Sequence, residues 1–270
     1  MNQPIGILDS GVGGLTVLKQ ALVDFPNESM VYIGDNARCP YGVKPAEKIS
    51  QYTHELVQFL LTFDIKLLVI ACNTATAVVF DELQEELDIP VVGVVAPGAR
   101  QAAQLSENGR IIVAGTEATV ASGIYDRHLL ERDPMLNVYG VECSELVPLV
   151  EDPTTDPIKL RSQMAACLAS VSDVDADTVI LGCTHFPLIK NEFQHYFGPR
   201  VRLIDAGRAA VQDVKSQLQK HHLENVTDPE PYVDFYTTGD PVEFQQVAKR
   251  WLGKDIYVQP VATADLTKGR

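Results

Sequence analysis

The feature that most constrains the fold is a recurring pair: a short run of β-branched and other apolar residues, then a stretch with helical period. Strands are read at Ile5–Leu8, Met30–Ile33, Leu67–Ala71, Val91–Val95, Ile111–Ala114, Val138–Val141, Thr178–Leu181 and Val201–Ile204. Helices are read at Gly14–Asp24, Pro45–Phe63, Thr74–Leu87, Ser122–Glu131, Pro157–Ser170, Pro187–Phe197 and Ala209–His221. The strands are apolar almost throughout, which suits sheets covered on both faces. This alternation predicts an α/β fold with mainly parallel sheets, right-handed crossovers and flanking helices.

The pattern also echoes itself. Leu67-Leu68-Val69-Ile70-Ala71-Cys72-Asn73-Thr74 matches Thr178-Val179-Ile180-Leu181-Gly182-Cys183-Thr184-His185, 111 residues later. Ile7-Leu8-Asp9-Ser10 matches Val113-Ala114-Gly115-Thr116 more weakly, at a similar offset. Two related halves are the reading, although strand-to-helix turns in α/β proteins resemble one another in any case. Ala-Pro-Gly and Ser-Glu-Asn-Gly within Pro97–Gly109 place the break between halves there, and Asp205-Ala206-Gly207 marks a second crossing. A loop at Thr227–Pro231, a strand at Val233–Thr237 and a helix at Pro241–Leu252 have no partner repeat and are assigned to the first half. The expected domains are 1–97 plus 207–270, and 98–206, and Thr267–Arg270 are expected to fray.

Composition narrows the functional classes. The chain has 270 residues, 46% of them hydrophobic and 21% charged, which excludes a disordered, collagen-like or disulfide-stapled protein. A net charge of −14 argues against nucleic acid or an anionic membrane as partner. A small anionic substrate responds to a local pocket and is not excluded. No apolar run reaches the roughly 18 residues of a membrane span. Met1-Asn2-Gln3-Pro4 leads into the first strand without a basic or cleavable segment. The cytoplasm is therefore the expected compartment, no effector site on an N-terminal extension is expected, and the five cysteines should be free.

In parallel α/β sheets, ligands bind beyond the carboxyl ends of the strands. The residues there are Asp9-Ser10, Asp35-Asn36, Cys72-Asn73-Thr74, Thr116 and Cys183-Thr184-His185. Cys143 and Cys167 read as core residues, and Cys39 is given no role. Cys72 and Cys183 differ: each ends a strand, leads into a helix N-terminus that favours thiolate, and is followed by polar donors. A phosphatase loop needs an arginine six residues on, where Val78 and Ile189 stand. No Cys-x-x-Cys spacing occurs, and no four-ligand metal set is apparent. A cysteine–histidine hydrolase would need only one of the thiols. Two thiols on facing halves suit a different chemistry, in which one removes a proton from carbon while the other supplies one to the opposite face. Gly11-Val12-Gly13-Gly14 reads as a turn whose N–H groups could hold an anion, or as a tight strand–helix turn only. It matches neither the P-loop nor the dinucleotide fingerprint.

Four blocks together resemble the signatures of the glutamate racemases, within the cofactor-independent aspartate/glutamate racemase superfamily. They are Asp9-Ser10-Gly11-Val12-Gly13-Gly14-Leu15, Gly34-Asp35-Asn36-Ala37-Arg38-Cys39-Pro40-Tyr41-Gly42, Ala71-Cys72-Asn73-Thr74-Ala75 and Leu181-Gly182-Cys183-Thr184-His185-Phe186-Pro187. The resemblance implies two pseudo-symmetric α/β domains with the active site in the cleft between them. It implies Cys72 and Cys183 as catalytic thiols, Asp9 and His185 as assistants, and Glu151 as a further acid. It implies substrate contacts from Asp9, Ser10, Pro40, Tyr41, Gly42, Asn73, Thr74, Thr116, Thr184 and His185. The implied reaction interconverts L- and D-glutamate with no cofactor and no metal, supplying D-glutamate for peptidoglycan. A homodimer is left open, since no two-fold contact is legible. Racemisation of aspartate or another amino acid is the rival within enzymes. A non-catalytic two-lobed amino-acid binder is the rival outside them, disfavoured by the paired thiols.

Overall fold

The computed structural model describes residues 3–225 and 230–268, and places ten strands in two wholly parallel sheets. The strands are β1 (Ile5–Asp9), β2 (Met30–Gly34), β3 (Leu67–Ile70), β4 (Val91–Gly93), β5 (Arg110–Gly115), β6 (Asn137–Glu142), β7 (Thr178–Gly182), β8 (Arg202–Asp205), β9 (Val233–Thr237) and β10 (Val258–Pro260). One sheet has the order β10-β9-β2-β1-β3-β4 and the other β6-β5-β7-β8. The order β2-β1-β3-β4 therefore recurs as β6-β5-β7-β8, which makes the halves pseudo-symmetric. Cys72 follows β3 and Cys183 follows β7, at equivalent places.

Side chains alternate across each sheet, and both faces are buried. In the first sheet Ile5, Ile7, Leu67 and Val69 enter one core, and Leu8, Ile33, Leu68 and Ile70 enter the other. In the second, Ile112 and Leu181 face one core, and Ile111 and Ile180 the other. Each such buried aliphatic contributes about 1.5–3 kcal/mol, which is why the central strands β3 and β7 are almost wholly apolar. Among the described residues no helix is long and apolar enough to cross a membrane. All five cysteines are free.

Several local expectations change. The strand read as Val91–Val95 ends at Gly93, and Pro97-Gly98 does not interrupt structure but lies inside helix Val95–Leu105. Proline is tolerated in a first turn, where its missing N–H has no intrahelical partner anyway. Gly98 lets this helix approach helix Ala206–Lys220, because a Cβ there would stand 3.0 Å from the Ala206 Cβ. These packed helices carry the chain between the sheets. The helix read as Ser122–Glu131 is preceded by a separate one, Glu117–Ala121, with Gly123 at φ 62° between them and Ile124–Leu130. The helix read as Pro187–Phe197 also differs: a 3₁₀ turn, Phe186–Ile189, precedes helix Lys190–Phe197. Residues 227–229 of the expected Thr227–Pro231 loop, and residues 269–270 of the expected frayed end, lie outside the described residues.

The halves are joined by buried polar contacts. Tyr125 Oη, from the second half, donates to Asn73 Oδ1 at 2.7 Å, immediately beyond Cys72. The hydroxyls of Thr74, Thr116 and Thr119 form a triangle, with spacings of 2.9, 3.2 and 2.9 Å. A buried acceptor that loses its donor keeps its full desolvation cost. Tyr125→Phe should therefore lower unfolding free energy by about 1–3 kcal/mol in urea denaturation. A change within error would mean that this bond does not hold the halves together.

Candidate active site

The carboxyl ends of β1, β3, β5 and β7 meet in one cleft. Ser10, Cys39, Pro40, Tyr41, Gly42, Cys72, Asn73, Thr74, Thr116, Val147, Gly182, Cys183, Thr184 and His185 line a cavity of about 30 Å³. Both thiols are on its wall. Next to it lies a cavity of about 490 Å³ that shares Cys39, Pro40, Gly42, Thr116 and Val147, and adds Glu151, Ser144 and Asp240. The smaller space has room for about one water, so it is the tight end of a wider cleft.

The two thiols are supported differently. Cys72 caps helix Asn73–Glu86: its Sγ accepts the Ala75 N–H at 3.4 Å, and the thiol donates to Ser10 Oγ at 3.5 Å. Cys183 lacks an α-helix behind it, contrary to the expectation that both thiols head one. Its Sγ lies 3.7 Å from His185 Nδ1. The other ring nitrogen, Nε2, stands 2.7 Å from Glu151 Oε1. Cys183, His185 and Glu151 thus stand in line, joined through the two ring nitrogens. Glu151 is the last residue of helix Leu146–Glu151, which has Pro148 in its first turn. Arg250 Nη2 donates to the Glu151 carbonyl at 2.8 Å, and Trp251 meets the His185 ring edge-on at 5.6 Å.

The electrostatics follow from burial. Burial disfavours an imidazolium at His185, yet hydrogen bonds to Cys183 and Glu151 outweigh it and raise its pKa to about 10. Burial, reinforced by the charge of Asp9, pushes the Cys72 thiol up to about 12. Asp9 is fully buried; burial raises its pKa, while His185 and the Gly14 and Gly11 N–H groups oppose the rise. Its Oδ2 accepts the Gly11 N–H at 3.0 Å. Among the described residues Asp9 Oδ1 has no hydrogen-bond partner. The glycine-rich turn therefore directs its Gly11 and Gly14 amides to the protein's own Asp9. Cys39 is held protonated by burial and by Glu151 and Asp9.

Asp35 has a positioning role. It is buried, accepts from Tyr41 Oη at 2.5 Å, Thr238 Oγ1 at 2.6 Å and Arg38 Nε at 2.7 Å, and so fixes the Pro40-Tyr41-Gly42 segment. The Tyr41 hydroxyl is thereby occupied, although the residue lines the cavity. Gly42 rests on Thr116 of the other half: a Cβ there would stand 2.7 Å from Thr116 Cβ.

The Asp/Glu/Hydantoin racemase family profile matches residues 15–214. A glutamate racemase of Streptococcus pneumoniae serotype 19F (strain G54) is 45% identical over 261 residues, covering 96% of this chain and 98% of that one. The chain belongs to the glutamate racemase family. The crystal structure of glutamate racemase isoform RacE1 from Bacillus anthracis superposes with a TM-score of 0.92 at 40% identity, covering 96% of this chain and 97% of that one. A Francisella tularensis glutamate racemase, solved in complex with D-glutamate, gives 0.90 at 32% identity, covering 97% and 98%. As a member of this family, the chain is an amino-acid racemase, an isomerase.

Within this racemase, three contributors to the cleft are not legible in the sequence. Tyr125 holds Asn73, Trp251 flanks His185, and Thr119 completes the hydroxyl triangle. Tyr125 and Trp251 lie within helices whose periodicity marks them only as apolar. Gly13 stands out in sequence for its turn, but its importance is contact: a Cβ there would stand 2.1 Å from Thr184 Oγ1 and 2.6 Å from His185 Cε1. Gly13→Ala should displace the Thr184–His185 turn and lower racemase kcat by about 10²-fold. A kcat near wild type would show that the turn accommodates the methyl.

The raised His185 pKa is also a stability statement. A cation favoured in the fold contributes fully below its ordinary value of 6.5, and the contribution is lost as pH rises to about 10. Unfolding free energy should therefore fall more steeply between those pH values in wild type than in His185→Asn. Parallel curves in urea titrations would contradict the paired imidazolium.

Proposed function

We propose that the chain interconverts L- and D-glutamate by direct two-base proton transfer between Cys72 and Cys183, with no metal and no pyridoxal cofactor. The observation that carries the reading is that both thiols line one small, buried cavity, each with its own proton-handling support. Glutamate would sit between them. The hydroxyl and amide groups of Ser10, Asn73, Thr74, Thr116 and Thr184 would receive its carboxylates as hydrogen-bond donors. Pro40, Tyr41 and Gly42 would form the wall.

An amino-acid α-proton is very weakly acidic, so the base alone is insufficient. Fixed dipoles in a space closed to water must stabilise the carbanion as it forms. From L-glutamate, Cys183 with its His185–Glu151 relay takes the proton on one face. Cys72, kept a thiol by burial and Asp9, returns a proton to the other face and leaves D-glutamate. The reverse direction starts with Cys72 as base and Cys183 as donor. Asp9 acts on the Cys72 side through its charge and its unpartnered Oδ1. The smaller cavity holds less than a glutamate, so binding requires the halves to part at the wider cleft. The product supplies the D-glutamate of peptidoglycan, in the cytoplasm.

Substitution tests the roles. Cys72→Ser and Cys183→Ser should each lose racemisation by about 10²–10⁴-fold or more, because serine is a far weaker acid. Each should still remove a proton one-sidedly from an analogue carrying a β-chloro leaving group. Near wild-type racemisation by both variants would make the thiols structural. Asp9→Asn should slow D-to-L more than L-to-D in kcat, and His185→Asn the reverse. The equilibrium between enantiomers is unity, so KM must change in proportion. Equal losses in both directions would overturn the assignment of one assistant to each thiol. The rate should be bell-shaped in pH, since one thiol must be ionised while the other is protonated.

A further inference from the structure

An imidazole and two carboxylates converge on the surface of the first half, remote from both thiols. His54 lies on helix Ala46–Leu61, and Glu82 and Glu86 lie on helix Asn73–Glu86. The two glutamates are four residues apart and share one helix face. His54 Nε2 stands 3.8 Å from Glu82 Oε2 and 3.5 Å from Glu86 Oε2. All three ligand atoms lie within 4.8 Å of one another, the one such group of three among the described residues.

The ring is oriented for this meeting. His54 Nδ1 lies 2.8 Å from the Ser50 carbonyl oxygen. A carbonyl only accepts, so Nδ1 carries hydrogen and Nε2 is left facing the carboxylates. A bare Nε2 lone pair there would point at two anions, and the two glutamates also repel each other along their helix. Neither glutamate has another ion-pair partner among the described residues. The arrangement is satisfied by a cation between the three groups.

We propose that His54, Glu82 and Glu86 form a site for a divalent metal ion of the zinc type. Zinc binds imidazole nitrogen and carboxylate oxygen at about 2.0–2.2 Å, which puts ligand atoms of a tetrahedral centre about 3.3–3.6 Å apart. The observed 3.5 and 3.8 Å need only small side-chain rotations. An imidazole whose other nitrogen donates to a backbone carbonyl is the usual arrangement of a metal-bound histidine. Magnesium and calcium prefer all-oxygen shells, whereas imidazole suits zinc and its first-row neighbours. The carboxylates are half exposed, so an ion can enter and water can complete its shell. Cys72 caps the other end of the glutamates' helix, about 15–20 Å away. The site therefore clamps two packed helices and takes no part in proton transfer. This inference stands independently of the two-thiol mechanism.

Titration of the full chain with zinc chloride, followed by calorimetry, tests it. One equivalent should bind, and affinity should fall at least about tenfold in His54→Ala and in the double variant Glu82→Gln, Glu86→Gln. Zinc should raise the thermal midpoint of wild type but not of His54→Ala, and both variants should keep wild-type racemase activity without metal. Cobalt(II) should give weak visible bands free of thiolate charge transfer, which separates this site from the cysteines. The proposal is overturned if wild type binds no zinc, if both variants bind it unchanged, or if the cobalt spectrum is a thiolate spectrum that persists in His54→Ala.

Discussion

The backbone of Gly13 presses against the Thr184–His185 turn with no room for a side chain between them. That contact ties the end of β1 in one half to the end of β7 in the other. Thr16 reinforces it, its Oγ1 donating to the Thr184 carbonyl at 3.0 Å. Gly42 on Thr116 closes the far side of the cleft in the same way. Two sheets that each bury both faces have only strand ends to offer a ligand. The glycine contacts press those ends together, and this places two thiols on one cavity.

The halves repeat a strand order but not an electrostatic environment. Cys72 sits at a helix N-terminus beside a buried aspartate, and Cys183 sits beside an imidazole held by Glu151. The unequal surroundings distinguish the two thiols: burial and the charge of Asp9 keep Cys72 protonated, while Cys183 has an imidazole as its neighbour. They also explain why residues from outside the repeat matter. Arg250 and Trp251, on the helix that follows β9, reach across to Glu151 and His185.

Much of this was legible in the sequence. Continuous apolar strands announced buried parallel sheets, and the Cys-Asn-Thr and Cys-Thr-His echoes marked equivalent strand ends. What was not legible depended on contacts between distant segments. Pro97 read as a break, yet it sits in the first turn of a helix, where proline costs no hydrogen bond. The Glu151–His185 bond, the Tyr125–Asn73 bond and the His54, Glu82 and Glu86 cluster join different elements, and no local pattern encodes them. For Gly11-Val12-Gly13-Gly14 the spacing left an anion-holding turn and a plain tight turn equally open, because it cannot reveal that the Gly11 amide is taken by Asp9.

The most direct measurement is the fate of the α-hydrogen when each enantiomer of glutamate is incubated with the enzyme in deuterium oxide at low conversion. Two bases on opposite faces should place solvent deuterium at the α-carbon of the newly formed enantiomer and leave the unconverted substrate as protium, in both directions. Deuterium appearing equally in recovered substrate and product would mean that a single group exchanges the proton on both faces, and would contradict the account.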